Sequence, residues 1–347
     1  MLKLGYNELG DEGASIISSA IIGNGSHHQK LSVLDLEFNA IGDAGCEALS
    51  VNCVAGNYTL QTLCLSGNRI GEKGALSIAG AILHGSGLQS LHLTLNEIGS
   101  TGMRAIAGAI AKNDERAHSG NEMESRASKT KMLPNIQHLY IGSTGIHANG
   151  FIVIPGLLLS NLSLRTINLS NSGIGDQELN LLSQALTQNK RLPLETLELS
   201  FNNITCQGVE CLMNAVWGSP TLRALKLDNN RIQDRGAQLC AVVLTSIPLE
   251  VLDLSFNRSI ATTGIKALMK NISENSSLRF LGLAGIPLDQ NSSKALSYAL
   301  AYNCSLRTLY LDNCSAGYAS QRHIVAGIVS NQKASLRLVT GFSLGRK

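Results

Sequence analysis

Apolar residues along this chain follow two alternating rules. From Leu31 to Ile41 they fall at Leu31, Leu34, Leu36 and Ile41, with Asn39 between, in the frame LxxLxLxxNxI. The frame recurs at 60–70, 88–98, 136–146, 164–174, 194–204, 222–232, 249–260 (one residue longer), 278–288 and 306–316. The Asn position holds Asn7, Asn39, Asn68, Asn96, Thr144, Ser172, Asn202, Asn230, Asn257, Ile286 and Cys314. Successive spacings are 32, 29, 28, 48, 28, 30, 28, 27, 29 and 28 residues, a repeat with one long interval. Alternation by two predicts a short strand at the start of each unit.

The second half of each unit follows a four-residue rule. A glycine lies four positions after the last apolar residue of the frame at Gly13, Gly45, Gly74, Gly102, Gly150, Gly208, Gly236 and Gly264. Four further on stand Ile17, Leu49, Ile78, Ile106, Ile154, Leu182, Leu212, Cys240, Leu268, Leu296 and Ile324. After another four come Ile21, Cys53, Ile82, Ile110, Leu158, Leu186, Val216, Leu244, Ile272, Leu300 and Ile328. That stripe predicts a helix. Asp11, Asp43, Ser100, Asp176, Asp234 and Thr262 stand where an N-cap accepts the first helical amides.

The pattern LxxLxLxxNxIxxxGxxxL resembles the leucine-rich repeats of the ribonuclease-inhibitor-like, cytosolic subclass with 28–29-residue units. Similar repeats occur in nucleotide-binding immune receptors and in activators of the Ran GTPase. The resemblance covers residues 1–343 and implies an α/β solenoid, a horseshoe with a parallel sheet on the concave face and helices on the convex face. Strands stack at about 4.8 Å and helices at about 10 Å, so one of each per repeat forces curvature with the sheet inside. A single domain of about eleven repeats over 1–347 is expected. The ladder Asn should bind backbone groups of the neighbouring turn, which Thr144, Ser172 and Cys314 imitate in part and Ile286 cannot. The unit at 282–287 is therefore expected to be the least regular. Neither end carries a polar capping unit, which predicts a part of a longer product.

The long interval locates an insertion. Residues 113–131 are polar, mixed in charge and aperiodic, and predict a flexible excursion between a helix and the next strand, with Arg126-Ala127-Ser128 as a phosphorylation candidate. Removing them is expected to cost little stability.

Composition narrows the function. Apolar residues make up 44% and charged residues 15% of the 347, and 28 basic against 25 acidic residues leave a net charge of +3. Neither nucleic acid nor a membrane is implied as partner. No apolar run reaches the length of a membrane span, and the first residues lack a signal-peptide core. The eight cysteines, Cys46, Cys53, Cys64, Cys206, Cys211, Cys240, Cys304 and Cys314, form no CxxC. They read as reduced, mostly buried thiols of a cytoplasmic or nuclear protein. Eleven NxS/T sequons, Asn57 and Asn257 among them, read as accidents of Asn and Ser abundance. There is no phosphate-binding GxxxxGK[ST] and no HExxH. His92 and His138 project from neighbouring strands, but no metal, cofactor or catalytic set is expected.

What remains is the sheet surface formed by positions 3, 5 and 7 of each frame. Six acids there face one lysine, Lys226, apart from Lys3 at the first strand. A protein or peptide partner with a basic segment is expected, bound by Tyr140, Glu198, Lys226, Asp228, Asp253, Phe280, Tyr310 and Asp312. The acids at positions 5 and 7 are expected to lack partners except near Lys226. Phe38, Phe201 and Phe256 precede the ladder residue and line a rim or pack beneath it. Position 2 reads Arg165, Glu195, Arg223, Glu250, Arg279 and Arg307, which predicts an exposed ionic ladder. The function these residues support is a non-enzymatic recognition scaffold. The alternative is a GTPase activator similar to the Ran activators, with Arg69, Arg231 and Arg258 in strand-to-helix turns; that family's acidic tail has no counterpart at 341–347.

Overall fold

The structure is a computed structural model that describes residues 1–22, 31–118, 135–146, 148–331 and 338–340. It forms two compact units, one of residues 1–172 and 188–194, the other of residues 173–187 and 195–347. The first holds strands β1 (Leu2–Lys3), β2 (Val33–Asp35), β3 (Thr62–Cys64), β4 (Ser90–His92), β5 (His138–Tyr140) and β6 (Thr166–Asn168). Its helices are α1 (Gly10–Ile22), α2 (Asp43–Leu49, continued by a π turn at Ser50–Val54), α3 (Glu72–His84), α4 (Gly99–His118), α5 (Ala148–Phe151) and α6 (Val153–Ser160). The second unit holds β7 (Thr196–Glu198), β8 (Ala224–Lys226), β9 (Val251–Asp253), β10 (Phe280–Gly282), β11 (Thr308–Tyr310) and β12 (Leu338–Thr340). Between them run α7 (Asp176–Gln188), α8 (Cys206–Val216), α9 (Asp234–Val243), α10 (Thr262–Ile272), α11 (Gln290–Tyr302) and α12 (Tyr318–Ser330).

Within each unit every strand pairs in parallel with the next, and frame position meets frame position. One row of the first sheet therefore reads Lys3, Asp35, Cys64, His92, Tyr140 and Asn168. The matching row of the second reads Glu198, Lys226, Asp253, Gly282 and Tyr310. The core lies between sheet and helices, where Leu34, Leu36, Ile41, Leu49, Leu197, Leu199, Ile204 and Leu212 are fully buried. Each such side chain contributes about 1.5–3 kcal/mol of burial free energy. The leucine-rich, α/β solenoid reading of the sequence is thus the observed fold.

The Asn ladder behaves as its position requires. Asn68 Oδ1 accepts from the backbone N–H of Ile41 at 3.0 Å, and its Nδ2 donates to Leu36 and Leu65 carbonyls at 2.9 Å each. Asn96, Asn202, Asn230 and Asn257 accept in the same way from the Ile one repeat before. Thr144 Oγ1 and Cys314 Sγ each donate to one carbonyl, of Ile141 and Leu283, where Asn68 reaches both the same-repeat and the preceding-repeat carbonyl. The residue before the ladder position is left-handed in all eleven repeats, from Tyr6 (φ 60°) through Phe38, Gly67, Leu95 and Phe201 to Asn313 (φ 59°). That turn aims its N–H at the next repeat, as Phe201 N donates to the Asp228 carbonyl at 2.9 Å. Non-glycine residues pay strain for this conformation. Phe38 (37% exposed) and Phe201 (58%) therefore line the rim, and Phe38 stacks on Tyr6 at 4.6 Å. Gly67 and Gly285 leave room for the rings of Phe38 and Phe256.

Three expectations need correction. First, the aspartates at the helix starts do not cap their own helices; they cap the helix of the next repeat. Asp43 Oδ1 accepts from Gly71 N at 2.7 Å and Gly74 N at 2.8 Å. Asp11 reaches Gly42 and Gly45, Asp176 reaches Thr205 and Gly208, and Asp234 reaches Ala261 and Gly264. Residues Gly42, Gln233 and Ala261 occupy the N-cap positions and make no side-chain cap. The recurrent glycine has the same cause, because a Cβ on Gly264 would meet Asp234 Oδ1 at 2.8 Å. Asp289 does cap its own helix, through Ser292 N at 2.7 Å, while also accepting from Thr262 Oγ1 at 2.7 Å; these bonds hold its carboxyl at about 2. Asp234→Ala is expected to lower the free energy of urea unfolding by about 1 kcal/mol, since two helix-start amides revert to water.

Second, residues 113–118 belong to α4 rather than to an excursion. Asp114 is 3% exposed and takes Leu162 N at 2.7 Å, Ser163 Oγ at 2.5 Å and Asn135 Nδ2 at 3.0 Å. Asn113 donates to the Ile82 carbonyl at 3.1 Å. Among the described residues, the buried Asn113 Oδ1, Asn135 Oδ1 and Asn161 Nδ2 find no hydrogen-bond partner. The insertion repeat thus carries buried unsatisfied groups, and the Ile286 repeat carries its own. There Ser293 Oγ is buried without a partner among the described residues and Ile260 N turns to the Asn257 carbonyl, although Phe280–Gly282 keeps full register with both neighbours. Residues 119–134, including Arg126-Ala127-Ser128, lie outside the described residues.

Third, the ionic ladder does not run on through Arg279. Arg223 Nε meets Glu250 Oε1 at 3.8 Å, but Arg279 Nη1 donates to the Ser276 and Ser305 carbonyls at 3.0 Å each. A backbone carbonyl within reach competes well against an exposed ion pair worth about 0–1 kcal/mol.

Candidate functional site

In the second unit the strands bring most of the singled-out residues to one sheet face. Lys226 Nζ lies 2.8 Å from Glu198 Oε1, one strand away. Asp228 accepts from Ser200 Oγ at 2.5 Å and Asn229 Nδ2 at 2.9 Å. Asp253 Oδ1 accepts from Ser255 N at 3.0 Å. The acids expected to lack partners are thus oriented by hydroxyl and amide donors, which fix the carboxylates without neutralising them.

Asp253 leans over Gly282, where any Cβ would collide with the carboxylate. Burial pushes the Asp253 carboxyl above the usual range, and Asp228 adds to that, against the Ser255 bonds and Lys226. A cation arriving there favours the ionised form, so its affinity rises with pH through the Asp253 titration. Beyond the glycine gap, Phe280 and Tyr310 meet edge to face at 4.9 Å and 73°. Together the row offers acid, gap and aromatic pair. Asp312 lies two residues beyond Tyr310, at position 7 of the same frame.

Tyr140 belongs to the first unit, where it stacks on His92 at 4.2 Å and 20°. His92 Nε2 lies 2.9 Å from Ser90 Oγ, and His138 Nδ1 lies 2.9 Å from Thr166 Oγ1. Glu37, Cys64 and His92 converge on this face with their ligand atoms within 4.8 Å of one another. Burial, then Glu37 and Asp35, push the Cys64 thiol up to about 12. Burial also raises Cys46, Cys53 and Cys240 to about 12, which leaves core thiols poor nucleophiles. Arg69, Arg231 and Arg258 are exposed in strand-to-helix turns, Arg69 in the first unit and the other two in the second.

Four of the eleven sequons have a structural cause. Asn57, Asn161, Asn275 and Asn303 each accept, through Oδ1, the N–H groups two and three residues on. Asn303 Nδ2 also donates to the Ile272 carbonyl at 2.7 Å, and Asn275 Nδ2 to that of Leu244 at 3.0 Å. This is a second Asn ladder, at the helix-to-strand turn. The 28-residue step from Asn275 to Asn303 was its visible signal.

A family profile described as Leucine Rich repeat matches residues 2–18, 27–50, 56–79, 88–107, 193–213, 218–239 and 245–269. The ribonuclease inhibitor of Mus musculus is 31% identical over 182 residues, covering 52% of this chain and 40% of that protein. The ribonuclease inhibitor of Sus scrofa is 26% identical over 334 residues, 95% of this chain and 62% of that one. NACHT, LRR and PYD domains-containing protein 14 of Homo sapiens is 26% identical over 336 residues, 96% of this chain and 28% of its own length. The chain thus spans less than two thirds of the length of each of these relatives.

Proposed function

This chain is a leucine-rich repeat protein of the ribonuclease-inhibitor-like type, and from that premise we propose that it is a non-enzymatic scaffold binding a protein or peptide on its sheet face. The observation that carries the reading is the row Asp253, Gly282, Tyr310 with Phe280 above it. It joins a desolvated carboxylate to an aromatic pair across a gap without side chains. Desolvation strengthens a charge pair, and aromatic rings supply contact area at small entropic cost. Two of its relatives are named as inhibitors of ribonucleases. The partner segment proposed here is basic with an adjacent apolar residue. No helix is long and apolar enough to cross a membrane among the described residues. A cytoplasmic or nuclear location and a single domain over 1–347 complete the proposal.

Fluorescence anisotropy with a labelled Lys/Arg-rich peptide containing one Leu tests it, beside a peptide with Gln at the basic positions. The basic peptide is expected to bind, more tightly as pH rises through the Asp253 titration and less tightly as salt rises. The double change Asp228→Lys and Asp253→Lys is expected to weaken it by tenfold or more, about 1.4 kcal/mol, with the fold retained. Binding that survives this reversal but is lost on changing exposed helix residues such as Arg235 and Lys266 moves the site to the helix face. Acceleration of GTP hydrolysis by a small GTPase, lost on changing Arg231 or Arg258, would replace the scaffold reading.

A further inference from the structure

We propose that Glu37, Cys64 and His92 form a divalent transition-metal site, with zinc as its natural occupant, on the sheet face of the first unit. Three adjacent strand frames each give one ligand. Cys64 and His92 are register neighbours on β3 and β4, and Glu37 follows β2 by two residues. Their ligand atoms lie within 4.8 Å of one another. Ligands around tetrahedral zinc, at about 2.0–2.3 Å from the metal, stand about 3.3–3.8 Å apart, so closure asks for rotamer adjustment rather than strand movement.

The donor set is informative. Thiolate, imidazole and carboxylate together suit zinc, whereas calcium and magnesium want oxygen alone. Three protein ligands also leave a fourth position open on an accessible face, the arrangement of sites that take a water or an external ligand. Charges of both signs surround the group, Lys3 as well as Asp35 acting on Cys64. Asp35 sits in register beside Cys64 and accepts from Glu37 N at 3.2 Å, which places a second carboxylate at the edge of the group. Supports are in place for His92 as well: Ser90 Oγ bonds one ring nitrogen and Tyr140 stacks on the ring face. Such outer contacts orient metal-bound imidazoles. The sequence hid the site because its residues are 27 and 28 positions apart, a repeat period rather than a ligand-motif spacing.

Cobalt(II) titration of the full chain, with zinc competition, tests the assignment. One equivalent is expected to bind with a thiolate-to-cobalt charge-transfer band, and zinc is expected to abolish it. Cys64→Ser should remove the band, and His92→Ala and Glu37→Gln should each weaken zinc binding by more than the ~10–100-fold that loss of an outer contact costs. Cys304→Ser, which alters an exposed cysteine of the other unit, should change nothing. Circular dichroism of each variant confirms that the fold is kept. No band in the wild-type chain, or a band that persists in Cys64→Ser, overturns the proposal. If Cys64→Ser fails to fold, His92→Ala and Glu37→Gln decide the matter: unchanged zinc affinity in both overturns it.

Discussion

Asp114→Ala is expected to be among the most damaging single changes in the first unit. The carboxylate lies at the end of α4, 3% exposed, and receives Leu162 N, Ser163 Oγ and Asn135 Nδ2. Alanine leaves these donors in a site where amide atoms of Asn113, Asn135 and Asn161 already find no partner among the described residues. Leu162 N and Ser163 Oγ lose their acceptor, while Asn135 Nδ2 keeps Ser163 Oγ. A stranded donor costs about 1–3 kcal/mol, so a loss of about 2–3 kcal/mol is expected in urea unfolding. Asp114→Asn, which keeps one acceptor oxygen, should lose less. Deleting 113–131 should cost as much as the alanine change, whereas deleting 119–131 spares these bonds and should cost little. Equal effects of the two deletions would show that Asp114 is not what matters there.

Asn257→Ala should produce a comparable loss in the second unit. Its side chain is fully buried, donates to Leu227 and Leu254 carbonyls at 2.9 Å each and accepts from Ile232 N at 3.0 Å. Backbone groups of two successive repeats lose their partner together, and none can reach water. About 3 kcal/mol is the expected cost. Because these bonds join neighbouring repeats, hydrogen exchange should quicken at the Ile232 amide as well as at position 257. Quickening confined to position 257 would mean that the ladder does not couple repeats. Asp234→Ala acts on the same neighbours from the helix side and should be milder, since its acceptor lies nearer solvent.

The two changes also explain why one repeat depends on the next. Each unit of the frame leaves a set of backbone groups that its own residues cannot satisfy. The ladder Asn completes them at the strand exit, the aspartate at the helix start, and the second Asn at the helix end. All three bonds cross from one repeat to its neighbour. A solenoid held by nearest-neighbour terms of this kind needs company for each unit.

The repeat, its strand and helix halves, the core stripe and the Asn ladder were all legible in the residues alone. These are local periodicities, and burial on one face imposes each of them on the residues directly. The face carrying Glu198, Lys226, Asp253 and Tyr310 was legible for the same reason, because alternation along a strand assigns sides. The bonds between repeats became visible only once the repeats stacked. Asp43 and Gly74 read as two separate motifs, a cap and a small residue, until stacking showed one carboxylate reaching one amide. Asp114 read as part of a polar insertion because polarity marks solvent unless a fold supplies partners. Glu37, Cys64 and His92 are unremarkable at their spacing in the chain; the parallel register brings residues one period apart to neighbouring strands, and so makes distant positions a single cluster.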